Sequence, residues 1–245
     1  MNKNIPKLLK SHKLLYISLV ILIVNLSLII GLTSFNLLVW ENNRIVYIIF
    51  FYHVSGAWLA YFSFGVSLIS HILYLRKKTI IWSLIGKNSI IVGVFFTAFA
   101  LITGSLWYNA TSGGYRPNPE DFWQWGDGRQ TMTLVLLISY VAFLIFRSMI
   151  EDKERKAKIS AALGIVLFPT VPLSYFSAII FETLHPLIDP GDPTDFYWDP
   201  VKILMLLFNL IAMTIFFIYV VNQLVELDKR KAQLGAIIQK KLVEV

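Results

Sequence analysis

GSLWYNATSGGYRPNPEDFWQWGDGRQT, residues 104–131, is the longest polar interruption in a chain that is otherwise mostly apolar. It contains three of the chain's seven Trp residues, together with Asp127 and Arg129. Its Gly and Pro residues disfavour regular secondary structure, so most of the stretch is predicted to be a loop. An aromatic-rich loop between two strongly apolar segments indicates a functional site held in place by the rest of the chain.

The composition around this loop is typical of a membrane protein. The chain has 245 residues, of which 56% are hydrophobic and 15% are charged, and its mean hydropathy is +0.65. Soluble domains carry about 25% charged residues, so we predict an all-α polytopic membrane protein. Because the sequence contains no Cys, disulfides, zinc–thiolate sites, iron–sulfur clusters and covalent haem attachment to this chain are excluded.

Apolar runs predict six membrane-spanning helices, since about 20 helical residues cross a bilayer. The predicted spans are residues 14–39, 45–75, 88–107, 130–149, 159–183 and 200–222. The first run exceeds the apolar core of a signal peptide and is interpreted as a retained span. Pro169 and Pro172 predict a kink in the fifth span. Residues 1–245 are thus predicted to form one six-helix transmembrane domain, with the Trp-rich loop between helices 3 and 4.

The distribution of basic residues predicts the orientation in the membrane. The N-terminus, the 76–87 loop, the 147–158 loop and the C-terminal tail carry 18 Lys or Arg residues, whereas the alternate loops carry 4. By the positive-inside rule, both termini are predicted to be cytoplasmic and the Trp-rich loop to lie outside a cytoplasmic membrane. The net charge of +7 then reflects topology and not nucleic-acid binding. The basic runs at 151–158 and 228–231 are predicted to be solvated cytoplasmic loops and not partner sites.

Four histidines are the candidate metal ligands. His53 lies near the outer end of the second span and His185 directly outside the fifth, so both are predicted on the side of the Trp-rich loop. His71 lies about 27 Å along the same helix from His53, and His12 lies in the N-terminal arm as an expected surface residue. Two unrelated interfacial histidines are the alternative interpretation of His53 and His185.

The Trp residues of the loop predict a planar ligand. Trp and Tyr accumulate at membrane interfaces whatever the function, but Trp123 and Trp125 are two positions apart in a segment rich in Gly and Pro. We predict that they line a flat platform at the membrane surface. A planar macrocycle with an iron centre and carboxylates suits this setting, because rings stack on Trp, imidazole binds iron and guanidinium binds carboxylate.

Three stretches resemble the haem-handling membrane proteins with a Trp-rich "WWD" loop, and among them the cytochrome c maturation protein C type. HVSGAW (53–58) is similar to the family's H-V-P-x-A-W, and PLSYFSAIIFETLHP (172–186) keeps its spacing from Pro through Ser to T-L-H. The loop from Gly104 through FWQWGDGRQT resembles the family's W-G-x-W-W-x-W-D-x-R-x-T. The sequence departs from this pattern at Gly126, where the family has Trp, and in about a dozen extra loop residues.

The resemblance implies a haem b (iron protoporphyrin IX) bound without covalent linkage at the outer face, with His53 and His185 as iron ligands. The other implied cofactor-binding residues are Trp107, Trp123, Trp125, Asp127 and Arg129. The resemblance also implies delivery of haem to a haem chaperone for cytochrome c assembly, with ATP-binding-cassette transporter subunits as further partners. Elimination indicates the same ligands, because His12 and His71 are predicted on the other side of the membrane and only His53 and His185 are left for an outer site.

Two roles are open for Asp127. It is well placed to cap the N-terminus of the fourth span, a contribution of about 1 kcal/mol. Alternatively, it holds the loop against the haem or the chaperone. Arg129 is expected to bind a haem propionate.

Other functional classes fit the sequence less well. It contains no catalytic triad, phosphate-binding loop or nucleotide site, so no enzyme is predicted. A dihaem quinol-oxidising cytochrome b needs facing histidine pairs at both membrane depths, and only His71 lies near the inner side. The remaining alternative is a non-haem scaffold subunit that uses the Trp-rich loop as an interfacial anchor.

Overall fold

A computed structural model describes residues 12–35, 48–111, 123–181, 183 and 200–243. Every regular element in these ranges is an α-helix. The helices are α1 (Lys13–Ser34), α2 (Ile48–Lys77), α3 (Ile80–Thr111), α4 (Gly128–Met149), α5 (Lys153–Leu167), α6 (Thr170–Ile180) and α7 (Pro200–Val243). Because α5 and α6 form one membrane-length unit, six units are long and apolar enough to cross a bilayer. The predicted all-α architecture with six spans is confirmed, and the Trp-rich segment joins α3 to α4.

The connection between α2 and α3 is a tight turn, where the sequence alone predicts a longer loop over 76–87. The third span begins at Ile80, so the prediction that it begins at residue 88 is wrong. Lys78 ends α2 with a φ of 52°, and its N–H donates to the carbonyl oxygen of Tyr74 at 2.8 Å. This left-handed residue satisfies a carbonyl group at the end of α2 and reverses the chain.

An ion pair joins α3 to α7 at this end of the bundle. Nζ of Lys87 donates to Oδ2 of Asp228 at 2.6 Å, and Nδ2 of Asn88 donates to the same oxygen at 2.8 Å. α7 continues to Val243, well beyond the predicted end of the sixth span. The prediction of loops at 151–158 and 228–231 is therefore wrong, because residues 153–158 belong to α5 and residues 228–231 belong to α7, where Asp228 is bound to α3.

The fifth span is interrupted at a proline, as its sequence predicts. α5 ends at Leu167 and α6 begins at Thr170, because Pro169 between them has no N–H group to donate to a regular helix. The N–H of Val171 instead donates to the carbonyl oxygen of Phe168 at 2.9 Å. This short-range bond satisfies backbone groups where the α-helical pattern is broken.

Glycine allows α2, α3 and α4 to pack closely between the two ends of the bundle. A methyl group built on Gly93 of α3 would lie 2.6 Å from Cε1 of Phe64 on α2. Phe64 in turn stacks on Tyr140 of α4, with ring centroids 3.9 Å apart and planes inclined by 17°. Small residues permit such close helix approach in membranes, and the contact holds together the three helices that carry the candidate site.

Two buried amides hold α1 against α7. Nδ2 of Asn25 donates to Oδ1 of Asn209 and to the carbonyl oxygen of Met205, both at 2.9 Å. Amide side chains that bond across apolar helices contribute to pairing within a membrane. The bonds set the register of the first span on the last.

Candidate functional site

His53 lies half-buried on α2 against the Trp-loop end of α3. Its Nδ1 is 3.0 Å from Oγ1 of Thr103, and that hydroxyl donates its own proton to the carbonyl oxygen of Phe99 at 2.8 Å. This geometry allows Thr103 to accept from Nδ1–H of His53 while donating to Phe99, the arrangement that corresponds to the tautomer with its lone pair on Nε2. Metal-ligating histidines commonly have their second nitrogen held in this way.

Gly104 provides the space for this imidazole. A methyl group built on Gly104 would lie 2.8 Å from Cε1 of His53. The ring consequently lies directly against the backbone of α3, which restricts its rotation. Gly104, the first residue of the Trp-rich stretch, is therefore important for packing, because a larger residue would overlap the imidazole of His53.

The loop Trp residues do not form the single flat platform that their sequence spacing predicts. Trp123 and Trp125 are in contact, with ring centroids 5.8 Å apart, but their planes are inclined by 55°. Trp125 is 72% exposed. Trp107 instead packs on the apolar cluster that contains Ile29 and Phe51. The loop therefore presents one exposed indole beside a partly buried one, because the turn at residues 125–126 changes the direction of the chain.

Gln130 fixes the loop to the helix that carries Thr103, a role that no sequence prediction assigned. Its Nε2 donates to Oγ of Ser105 on α3 at 2.6 Å, and its Oε1 accepts from the backbone N–H of Gln124 at 3.1 Å. The available signal was its position three residues after Asp127, since Gln at this position of a capped helix commonly bonds back to the preceding segment. Here it reaches both the loop and the neighbouring helix.

Asp127 both caps α4 and contacts the chain beyond α6. Its Oδ1 accepts from the backbone N–H of Gln130 at 2.7 Å, which confirms the predicted N-terminal cap. Its Oδ2 accepts from Oγ1 of Thr183 at 2.9 Å. Thr183 precedes the second predicted iron ligand, His185, by two positions. His185 itself lies outside the described residues, so its pairing with His53 stays a prediction.

Arg129 lies at the same end and contacts α6. One Nη1 hydrogen bond goes to the carbonyl oxygen of Tyr175, and the guanidinium lies 5.6 Å from the centroid of that residue's ring. A guanidinium has five N–H donors. The described contacts orient the group and use one of these donors. The predicted role of Arg129 toward a propionate stays a prediction.

The other two described histidines lie elsewhere. His12 is exposed, as predicted, with Nδ1 2.7 Å from the hydroxyl of Tyr219. His71 is fully buried and packs between Gly86 and Gly164, and a methyl group on Gly86 would lie 2.7 Å from its Nε2. This close packing leaves no room for a haem on His71, which disfavours the dihaem cytochrome.

The chemistry available at the Trp-loop end is that of a ligand site built around imidazole. Within the described ranges, no group of three or more His, Asp or Glu side chains is placed to hold a metal ion. A bare-ion site of that kind is therefore not formed there by the described residues. One oriented imidazole, a guanidinium and an exposed indole suit a large planar ligand that brings most of its own metal coordination.

Known proteins resemble the chain over most of its length. The family model for heme exporter protein C (CcmC) matches residues 4–237. The heme exporter protein C of Bradyrhizobium diazoefficiens is 33% identical over 137 residues, which cover 56% of this chain and 49% of that protein. A putative cytochrome c biosynthesis ccmC-like mitochondrial protein of Marchantia polymorpha is 32% identical over 145 residues, covering 59% of this chain and 56% of that protein.

A more distant relative is the heme exporter protein C of Escherichia coli strain K12, which is 26% identical over 157 residues, covering 61% of this chain and 59% of that protein. The chain thus spans about half to three-fifths of the length of these relatives. Its fold defines a polytopic α-helical membrane protein whose candidate site lies at one end of the bundle. The chain belongs to the heme exporter protein C family, CcmC.

Proposed function

We propose that this chain binds haem at the Trp-loop end of the bundle and delivers it to a haem chaperone for cytochrome c assembly. One observation carries the proposal: the imidazole of His53 is oriented by a hydrogen bond between its Nδ1 and Thr103, as metal-ligating histidines commonly are. The hydrogen bond from Thr183 to Asp127 supports the second ligand, since it brings the segment leading to His185 against the loop. Family membership supports haem as the ligand.

The proposed ligand is haem b, held through its iron by His53 and His185. The chain has no Cys for thioether linkage, so retention depends on coordination and on contacts with the ring. Arg129 is proposed to bind a propionate, because a guanidinium pairs well with carboxylate. The exposed Trp125 offers an indole to a ring face or to a partner. Trp123 contacts Trp125, and Trp107 packs on the apolar cluster of Ile29 and Phe51.

The proposed setting is the cytoplasmic membrane, with both termini in the cytoplasm and the Trp-rich loop outside. The asymmetry of Lys and Arg between the two ends supports this orientation. The haem chaperone would then approach from outside, and ATP-binding-cassette transporter subunits would share the bilayer with this chain. The role is transport of haem and not catalysis, and no nucleic acid is involved.

Histidine substitution tests the proposal. In the purified protein reconstituted with haem, we expect low-spin six-coordinate iron, because two imidazoles fill both axial positions. His53→Ala and His185→Ala should each lower haem retention or shift the iron to high spin, and added imidazole should partly restore the low-spin spectrum. His12→Ala is the matched control, since it removes an imidazole far from the loop and should leave the spectrum unchanged.

Three outcomes would contradict the assignment. A low-spin spectrum that persists in the His53→Ala, His185→Ala double variant would show that other groups hold the iron. No Soret band in a well-folded wild-type protein would favour the scaffold subunit. Two haems per chain would favour a membrane b-type cytochrome.

A further inference from the structure

The last part of α7 extends beyond the helix bundle. In the described part of this helix, Val225 is the last buried residue, and residues 230–242, the α7 extension, are all exposed. Asp228, which pairs with Lys87 of α3, is followed by about 22 Å of helix up to the end of α7. α3 begins at Ile80, only about 10 Å along its axis from Lys87. Because the third and sixth spans run in opposite directions, the end of α7 projects about 12 Å past the start of α3.

The α7 extension has an exposed apolar stripe. Leu234, Ile238 and Leu242 follow one another at intervals of four residues, and each is more than half exposed. Ile237 is equally exposed beside them. Residues spaced by three and four lie on one face of a helix. Lipid covers the exposed apolar side chains of the spans, but it does not account for this stripe, because the extension also carries cations and lies past the apolar part of α7.

The α7 extension is also strongly basic. It contains no Asp or Glu, and its four cations are Arg230, Lys231, Lys240 and Lys241. Two of these cations flank the stripe: Lys231 lies three residues before Leu234, and Lys241 lies three residues after Ile238. A helix that presents apolar side chains between cations is complementary to an apolar groove with an acidic rim.

Other occupants fit this combination of stripe and charge less well. A second copy of the α7 extension has the same cations, so pairing two copies would bring like charges together. Residues 1–11 contain Lys3, Lys7 and Lys10 and no acid, so they carry the same sign of charge. A nucleic acid binds through its phosphates and leaves the apolar stripe uncovered. The membrane surface would require the extension to turn away from the axis of the span, but α7 is one unbroken helix.

We propose that the α7 extension docks in an apolar groove of a partner protein, and that Asp and Glu side chains border this groove. Leu234, Ile238 and Leu242 fill the groove, and Lys231 and Lys241 pair with its acidic rim. Amphipathic helices bind grooves in this way, through anchors spaced by three and four residues. The partner approaches the end of the bundle opposite the Trp-rich loop, so this docking is independent of the proposed haem site.

Site-specific photo-cross-linking of the full chain in the membranes of its native host tests this surface. The photoreactive amino acid benzoylphenylalanine replaces Ile238 on the stripe or, as the matched control, Ala236, which is also exposed. After irradiation we expect a protein adduct from position 238 and about tenfold less from position 236, because the two side chains point in opposite directions around the helix. The cross-linked partner peptide, sequenced by mass spectrometry, should contain Asp or Glu beside apolar residues.

Charge substitution separates the cations beside the stripe from the net charge of the helix. Lys231→Gln with Lys241→Gln should lower the yield of the adduct at position 238 about fivefold, since each exposed ion pair contributes modestly. Ala232→Glu with Ala236→Glu is the matched control, because it changes the net charge by the same amount on the face away from the stripe. The control should leave the yield within about twofold, since salt screens the more distant charges.

The proposal is overturned by equal adduct yields at positions 238 and 236, or by no protein adduct at position 238 in a stably inserted chain. Adducts with lipid alone would assign the stripe to the membrane surface, and adducts with a second copy alone would assign it to self-association. An equal loss in the two charge variants would indicate general attraction to a basic helix. If the chain substituted at Ile238 fails to insert, Leu234 provides the second position on the stripe, and the same outcomes decide.

Discussion

Replacing Thr103 with Val tests whether the hydroxyl that holds His53 matters for haem binding. The two side chains have nearly the same shape, so the change removes one oxygen and little volume. The lost contact is the 3.0 Å bond from Nδ1 of His53. A neutral hydrogen bond contributes about 1 kcal/mol, equivalent to about fivefold in affinity. Partners of metal-ligating histidines contribute about 10- to 100-fold in affinity, so we expect haem affinity to fall about tenfold.

The assay is titration of haem into the purified chain, followed by the Soret absorbance. Thr97→Val is the matched control: Thr97 is on the same helix and is buried. Its hydroxyl donates to the carbonyl oxygen of Gly93 at 2.7 Å, the same bond to the preceding turn that Thr103 makes. Among the described residues its hydroxyl makes no hydrogen bond to a histidine, so its effect measures the loss of that helical bond.

The ratio of the two dissociation constants isolates the imidazole contact. If Thr103→Val binds haem within a factor of about two of Thr97→Val, the orientation of His53 by Thr103 is unimportant for affinity. The proposal that this tautomer prepares the iron ligand would then be refuted. A weaker haem complex for Thr103→Val than for Thr97→Val is the expected result.

Three further predictions concern orientation, the loop and packing. Cysteines introduced at Ser112 and Lys156 should respond oppositely to an impermeant thiol reagent in intact cells, with labelling at Ser112 only; labelling at Lys156 only would reverse the proposed orientation. Asp127→Ala should lower the free energy of unfolding by about 1 kcal/mol through loss of the helix cap, whereas Asp127→Asn should retain haem but impair its transfer to the chaperone. If the Asp127→Ala protein that still folds transfers haem normally, the role of Asp127 is limited to capping. Gly164→Ala should destabilise the bundle by about 1–3 kcal/mol, because the added methyl group overlaps the ring of His71 in a packed interior; an unchanged midpoint in thermal unfolding would contradict this packing.

Local features of the chain were predictable because they depend on neighbours within one or two helical turns. The six spans follow from apolar length, since the bilayer sets how many helical residues must be apolar. Asp127 was predictable as a cap because its carboxylate bonds to an N–H three residues away. The break at Pro169 follows from its missing N–H group. Each of these features is decided by a short segment, whatever packs against it.

Contacts across helices were not predictable in the same way. The second span was known to carry His53, but only packing places Thr103, 50 residues later, against its ring. Gln130 reaches Ser105 across 25 residues, and Lys87 reaches Asp228 across 141. α3 and α7 also extend beyond the limits that hydropathy predicts, because a helix can continue past the apolar span that sets those limits.

Sequence alone therefore determined that this is a six-span α-helical membrane protein and which end carries its Trp-rich segment, since hydropathy and helix capping act locally. Only the tertiary structure decided how the side chains at each end are used. The two loop indoles are inclined because the turn at 125–126 separates their planes. The ring of His71 is enclosed because Gly86 and Gly164 come from two other helices. Arg147 is buried and donates to Ser83 because helix packing, and not its neighbours in sequence, encloses it.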